Sequence, residues 1–199
     1  MSQVDRRSAA QQMIHRNVDY QGGKETTDYS DWKDQLIIRR LEAGDLRSIE
    51  WDGEYTHLRQ VYERAYQKSK NGITILWVAE LPDCGIIGQV FLQLSSERSD
   101  LADGHSRAYL YSLRVKPAFR SMGFGTRLME VAESTLCEMG YLMVTLTVAK
   151  NNHRAIKLYK RCGYRIVASE AGLWNYQDDK GKWQSIREPA WRMEKNLNY

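Results

Sequence analysis

The sequence predicts a single α/β domain built on a mixed sheet, and three observations carry that prediction. Short β-rich runs alternate with stretches of helical apolar spacing along the second half of the chain. No Pro-, Gly- or Ser-rich linker divides the 199 residues, and no internal repeat recurs. The length is about one domain by the prior of roughly 100–200 residues each, enough to bury roughly 70% of the extended-chain surface.

The elements follow in order. Residues 1–33 are polar and are expected to form an N-terminal extension, a helix or an arm, outside a domain spanning 34–199. Leu36–Leu41 suits a strand, and Asp45 offers an N-cap to a polar, irregular helical stretch. A stronger helix is expected near Thr56–Ser69, carrying Leu58, Val61, Tyr62 and Ala65. Ile73–Glu80 and Ile86–Leu94 read as a hairpin joined by Pro82-Asp83-Cys84-Gly85. Tyr109, Tyr111, Leu113 and Val115 alternate with Leu110, Ser112 and Arg114, which predicts a strand with one aromatic face, ended by Pro117. A helix from about Gly125 to Met139 would bury Leu128, Val131, Ala132, Thr135, Leu136 and Met139, with Gly140 as its stop. Leu142–Val148 is a strand, Arg154–Cys162 a helix preceded by Asn152, and Gly163 its stop. Tyr164–Ala168 and Trp191–Leu197 are further strands, separated by a polar aromatic segment with Trp174, Tyr176 and Trp183.

Composition narrows the function classes. There are 29 Lys+Arg against 25 Asp+Glu, a formal +4, too mild for a concentrated nucleic-acid surface. No run approaches the ~18 apolar residues of a membrane span, so a cytoplasmic protein without membrane or nucleic-acid partners is expected. Cys84, Cys137 and Cys162 lie far apart without ligand-like spacing, which predicts reduced, buried thiols and no metal. His57, His105 and His153 show no ligand spacing either and are expected on surfaces.

The chemistry concentrates in Arg120-Ser121-Met122-Gly123-Phe124-Gly125-Thr126, between a strand and a helix. Two glycines one residue apart let successive N–H groups turn into one concavity at a helix N-terminus, a cradle suited to phosphate. The spacing fits neither a Walker loop, since no Lys-Ser/Thr follows, nor a Rossmann fingerprint, since Leu128 stands where glycine or alanine is needed.

Arg120-x-x-Gly123-x-Gly125 resembles the acetyl-CoA pyrophosphate loop of the GNAT N-acetyltransferase superfamily. Leu113-Arg114-Val115 with Pro117 is similar to that family's central strand. Asn152 through Tyr164, with Ala155, the Leu158-Tyr159 pair and Gly163, resembles its second signature. The likeness is specific over about 108–167 and weaker from Leu36 to the C-terminus. It implies a mixed central sheet splayed into a V-shaped acyl-CoA cleft and flanked by helices. It further implies an acetyl-CoA-dependent N-acetyltransferase that moves the acetyl group to a primary amine by direct attack in a ternary complex.

The same resemblance implies roles. Leu113 and Val115 would pair through their main chain with the pantetheine arm, as an added strand. Arg120, Ser121, Met122, Gly123, Phe124, Gly125 and Thr126 would hold the pyrophosphate. Asn152 and Ala155 would contact the cofactor, although Asn152 also reads as a plain N-cap. Tyr159 would be the general acid that protonates the departing thiolate, with a core aromatic as the alternative. No carboxylate stands on the central strand before Leu113, so no general base is assigned; Glu80, ending an earlier strand, is a candidate acting through water, with a solvated strand end as the alternative. The acceptor, a small amine or a peptide N-terminus, would be selected by the Thr56–Ser69 helix and the Ala171–Ser185 segment, whose Trp174, Tyr176, Trp183, Asp178 and Asp179 suit an amphipathic cation, with a surface β-hairpin held by its aromatics as the alternative. Cleft width near Tyr111 and Leu146 would set the acyl chain. A non-catalytic acyl-CoA-binding protein, a transferase of another acyl group and a homodimer stay open.

Overall fold

The computed structural model describes residues 35–197, so the expectation for residues 1–33 lies outside the described residues. In chain order it comprises β1 (Ile37–Arg40), α1 (Arg59–Lys70), β2 (Thr74–Leu81), β3 (Gly85–Gln93), β4 (Arg107–Val115), α2 (Phe124–Glu138), β5 (Met143–Ala149), α3 (His153–Arg161), β6 (Arg165–Glu170), β7 (Leu173–Gln177), β8 (Trp183–Arg187) and β9 (Ala190–Asn196). Seven strands form one mixed sheet in the order β1-β2-β3-β4-β5-β9-β6, and β7 and β8 pair only with each other. The β4–β5 pairing is parallel and the remaining pairings are antiparallel.

Strand alternation sorts the side chains into two layers. On β2, Ile75 and Ala79 pack under α2, while Leu76 and Val78 face α1. On β3, Val90 and Leu92 join the first layer and Phe91 the second. The sheet is therefore sandwiched, with α2 and α3 on one face and α1 on the other. From α2 the buried side chains are Phe124, Leu128, Met129, Ala132, Thr135 and Leu136. Met139, expected on that face, is 48% exposed because the helix ends before it and Gly140 turns the chain away at φ +81°.

Two local expectations are corrected. Asp45 is not an N-cap: Glu42 caps a 3-10 turn at Ala43–Leu46, and its backbone N–H donates to the Asp45 carboxylate at 2.8 Å. The same carboxylate receives the Arg39 guanidinium, which ties that turn to β1.

The second correction concerns β4. Register runs Phe91↔Tyr111 and then Gln89↔Arg114, so Ser112 and Leu113 together oppose Val90. Ser112 sits at φ +55°, a left-handed conformation that costs a non-glycine residue about 1–2 kcal/mol. This bulge inverts the alternation. Leu113 and Val115 join Leu110 on the α2 side instead of sharing a face with Tyr109 and Tyr111, and Arg114 moves to the α1 side. The start of the same strand is fixed by Asp103, whose carboxylate accepts the backbone N–H groups of His105, Ser106 and Arg107 at 2.8–3.0 Å.

Candidate functional site

A fork opens between β4 and β5. Their parallel register covers only Arg107↔Met143, Ala108↔Val144 and Tyr109↔Thr145, although both strands continue. At the apex the Tyr109 hydroxyl meets Thr147 Oγ1 at 2.6 Å across the divide. Beyond it β5 stays paired with β9 along its length, so among the described residues β4 from Leu110 to Val115 has no strand neighbour on its β5 side. That edge is the expected V-shaped cleft, and its main-chain groups can receive an extended ligand.

At the mouth of the fork lies the loop after β4 that is expected to form the cradle. Ser121 at φ +68° and Gly123 at φ +90° are both left-handed, and Gly123 is the N-cap of α2. A Cβ built on Gly123 would meet nothing within 4 Å, so this side of the loop is open. At Gly125 a Cβ would instead lie 3.5 Å from Leu158 and 3.8 Å from Val115. Gly125 thus serves close packing of α2 on α3 and β4 on its side-chain face, while its N–H remains in the first turn of the helix. Arg120 Nε donates to the Val115 carbonyl at 2.9 Å and braces the loop against β4. Arg154 of α3 donates to Ser121 Oγ at 3.1 Å, which joins the two sequence signatures physically. Phe124 is buried among core residues, whereas Met122 and Thr126 are partly exposed.

Asn152 accepts the Ala155 N–H at 3.1 Å, so its capping role is present in the fold. Ala155 packs against the core in the first turn of α3. Tyr159, one turn further on, is buried at 8% exposure, with its ring 6.0 Å from that of Tyr164. Its hydroxyl makes no hydrogen bond to a described residue. Burial, with the neighbouring Tyr109 phenol, pushes its pKa well above the ordinary tyrosine value. It therefore holds its proton at neutral pH.

On the α1 side of β4 lies a cavity of about 570 Å³, walled by α1, β4, the end of β6 and the start of β7. Its lining is aromatic and aliphatic, with Tyr62, Phe91, Tyr109, Tyr111 and Trp174 prominent. Residues of the Thr56–Ser69 region and of the Ala171–Ser185 segment, the two segments expected to select an acceptor, both line it. The aromatic-carboxylate reading of the second segment is corrected, however. Asp178 is consumed by its own turn, where it accepts the Lys180 and Lys182 N–H groups and the Gln184 amide. Neither it nor Asp179, Tyr176 or Trp183 lines the cavity. Leu146, expected to set the cleft width, is packed into the core on the α2 side. Glu80 is bound to Arg39 at 2.9 Å on the outer strands and does not line the cavity.

Several lining residues escaped sequence reasoning, among them Phe91, Arg98, Glu170 and, for the cavity face, Ser112 and Arg114. Ser112 Oγ accepts the side-chain amide of the fully buried Gln89 at 3.0 Å, which holds the bulge. No sequence signal marks that bulge, because serine has no special preference for its conformation. Among the described residues, no group of three or more His, Cys, Asp or Glu is placed to hold a metal ion, and no helix is long and apolar enough to cross a membrane.

Comparison with known proteins adds an independent finding. Residues 41–164 match the family model described as the acetyltransferase (GNAT) family. A mycothiol acetyltransferase of Propionibacterium freudenreichii subsp. shermanii is 31% identical over 70 residues, 35% of this chain and 22% of that protein. The match thus spans about a fifth of that relative's length. Among solved structures, Ard1 from Thermoplasma volcanium superposes with a TM-score of 0.62 at 20% identity, covering 83% of this chain and 99% of the other. The ribosomal-protein-S18-alanine N-acetyltransferase from Escherichia coli gives 0.62 at 18% identity, covering 82% and 95%. The spermidine N-acetyltransferase from Vibrio cholerae, in complex with CoA and spermine, gives 0.60 at 22%, covering 82% and 96%. At these identities the structural matches establish a shared fold.

Proposed function

The chain belongs to the acetyltransferase (GNAT) family, and from that premise we propose that it is an acetyl-CoA-dependent N-acetyltransferase acting on a primary amine. The observation that carries the reading is the forked sheet: an unpaired β4 edge leads directly from an open anion cradle to an apolar cavity. The residues fit the co-substrate. The first amides of α2 and the Ser121–Thr126 turn would hold its pyrophosphate, with Arg154 and Arg120 beside them. Main-chain groups of Leu113 and Val115 would pair with the pantetheine arm, and Asn152 and Ala155 would flank it.

Acetyl-CoA supplies the acetyl group as a thioester. The chain's part is to orient the amine in the cavity, at the far side of β4, so that nitrogen attacks in a ternary complex. Tyr159 keeps a proton on Oη at neutral pH and is assigned to deliver it to the thiolate leaving group. Among the described residues the cavity offers no unpaired carboxylate as a base: Glu170, which lines it, is bound by Arg98 at 3.1 Å and lies 3.6 Å from Arg192. An amine with pKa near 8 would lose its proton at a cost of about 1.4 kcal/mol at pH 7, against about 4.6 kcal/mol for a lysine near 10.4. The arrangement therefore favours acceptors of low basicity.

Thiol release from acetyl-CoA, followed across a panel of amines with mass detection of the acetylated product, tests the proposal. Acceptor-dependent thiol release with a matching acetyl mass gain is expected. Tight acetyl-CoA binding without transfer to any amine would favour the non-catalytic reading.

A further inference from the structure

The cavity's charge distribution points to the acceptor's chemical class. Two arginines and one glutamate line it: Arg98, Arg114 and Glu170. Arg98 is neutralised twice, by Asp100 at 2.8 Å and by Glu170 at 3.1 Å. Arg114 has no such partner among the described residues. Among the described residues no carboxylate lies within ion-pair distance of it; its guanidinium stacks 4.2 Å over the Tyr55 ring and donates one hydrogen bond to the Tyr62 hydroxyl. A guanidinium carries five N–H donors, so several are left to point at a ligand.

Its placement is also built. Without the Ser112 bulge, strand alternation would direct Arg114 to the α2 side and Leu113 into the cavity. The left-handed Ser112, held by buried Gln89, reverses both. The conformational cost of that residue therefore brings a cation to an otherwise aromatic wall.

We propose that the acceptor is an apolar or aromatic primary amine bearing one carboxylate, and that Arg114 is its anchor. The proposal rests on the transferase reading and names the substrate class of the same site. One uncompensated cation matches one anionic charge, and the planar fork of arginine suits a carboxylate bidentately. The body of such a ligand would fill the cavity between Tyr62, Phe91, Tyr111 and Trp174. A polyamine, which adds positive charge beside Arg114 and finds no unpaired carboxylate among the described residues there, is disfavoured.

The test compares 4-(aminomethyl)benzoate with benzylamine, which share ring and amine, and with spermidine as the cationic control. Calorimetry on the protein saturated with CoA measures their affinities without needing turnover, and thiol release with acetyl-CoA measures KM in parallel. The carboxylate-bearing amine should bind about ten- to a hundredfold more tightly than benzylamine, the range for a charge-assisted hydrogen bond. Spermidine should bind more weakly than either. Arg114→Gln should erase the difference between the two aromatic amines, while Arg114→Lys should retain part of it. Equal affinity of the aromatic pair for the wild-type protein overturns the proposal even if Arg114→Gln does not fold, as does a preference that persists in a folded Arg114→Gln. Failure of acetyl-CoA to bind overturns the transferase reading itself, a result distinct from either.

Discussion

Replacing Tyr159 with phenylalanine separates the two roles a buried tyrosine can have on α3. The side chain is 8% exposed and packs its ring near Tyr164, and its hydroxyl makes no hydrogen bond within the described fold. Phenylalanine preserves the ring and removes an oxygen that contributes no internal bond, so stability should change by less than about 1 kcal/mol. If that oxygen protonates the leaving thiolate, kcat should fall by about 10²–10⁴-fold, equivalent to about 2.7–5.4 kcal/mol of transition-state stabilisation. The KM for acetyl-CoA should hardly move, because the interaction is made only as the thiolate departs. Burial raises the phenol's pKa, so the wild-type enzyme should keep its acid protonated up to and beyond the ordinary tyrosine value of about 10. No alkaline loss of kcat below that pH should trace to this group. The assay is thiol release on a verified acceptor, with the melting temperature measured in parallel. A folded variant with turnover within threefold of wild type would refute the acid assignment, and a variant that melts many degrees lower would assign the residue to packing.

Other expectations follow from single contacts. Asn152→Ala should cost about 0.5–2 kcal/mol of stability through loss of the cap on Ala155, and should weaken CoA binding by a further 0.5–1.5 kcal/mol, on the order of one hydrogen bond; calorimetry showing only the first would limit it to capping. Glu50 is 5% exposed, and bidentate bonds from Arg59 at 2.7 and 2.8 Å hold its carboxyl below the usual range, outweighing the opposing effect of burial. Because the folded value is depressed, this stabilisation is complete above the ordinary glutamate pKa of about 4.3 and disappears as pH falls through the folded value. Denaturant titrations from pH 3 to pH 7 should show Glu50→Gln less stable at pH 7 by about 1.5–3 kcal/mol, with a shallower acid dependence than wild type. Gly172→Ala would place a Cβ 1.6 Å from the Glu188 carbonyl oxygen at φ +63°, so it should displace the β7–β8 hairpin and raise the acceptor KM more than the acetyl-CoA KM. An unchanged acceptor KM would remove that hairpin from the site.

Much of this architecture was legible because local chemistry and tertiary structure agree. Gly140 and Gly163 are both left-handed helix stops, the Pro82–Gly85 turn joins β2 to β3, and Asn152 caps α3 as its residue type suggests. The loop at Ser121–Thr126 was legible for the same reason. Beyond these, the decisive features depend on contacts far apart in sequence. The bulge at Ser112 is set by Gln89 on a neighbouring strand, so a period-two reading assigned Leu113, Arg114 and Val115 to the wrong faces. The Asp178 carboxylate looked available for a cation because nothing in the linear sequence shows the three donors that its turn aims at it. Nothing in the linear sequence separates Arg114 from Arg98; only the fold pairs Arg98 with Asp100 and Glu170 and leaves Arg114 without a carboxylate partner among the described residues.

Hydrogen–deuterium exchange with and without acetyl-CoA tests most directly that the forked sheet is the co-substrate site. The unpaired edge of β4 and the amides entering α2 should both gain protection, so peptides covering residues 110–126 should slow on binding, while β1 and β2 remain unchanged. Binding detected by calorimetry with no added protection across residues 110–126 would contradict the account.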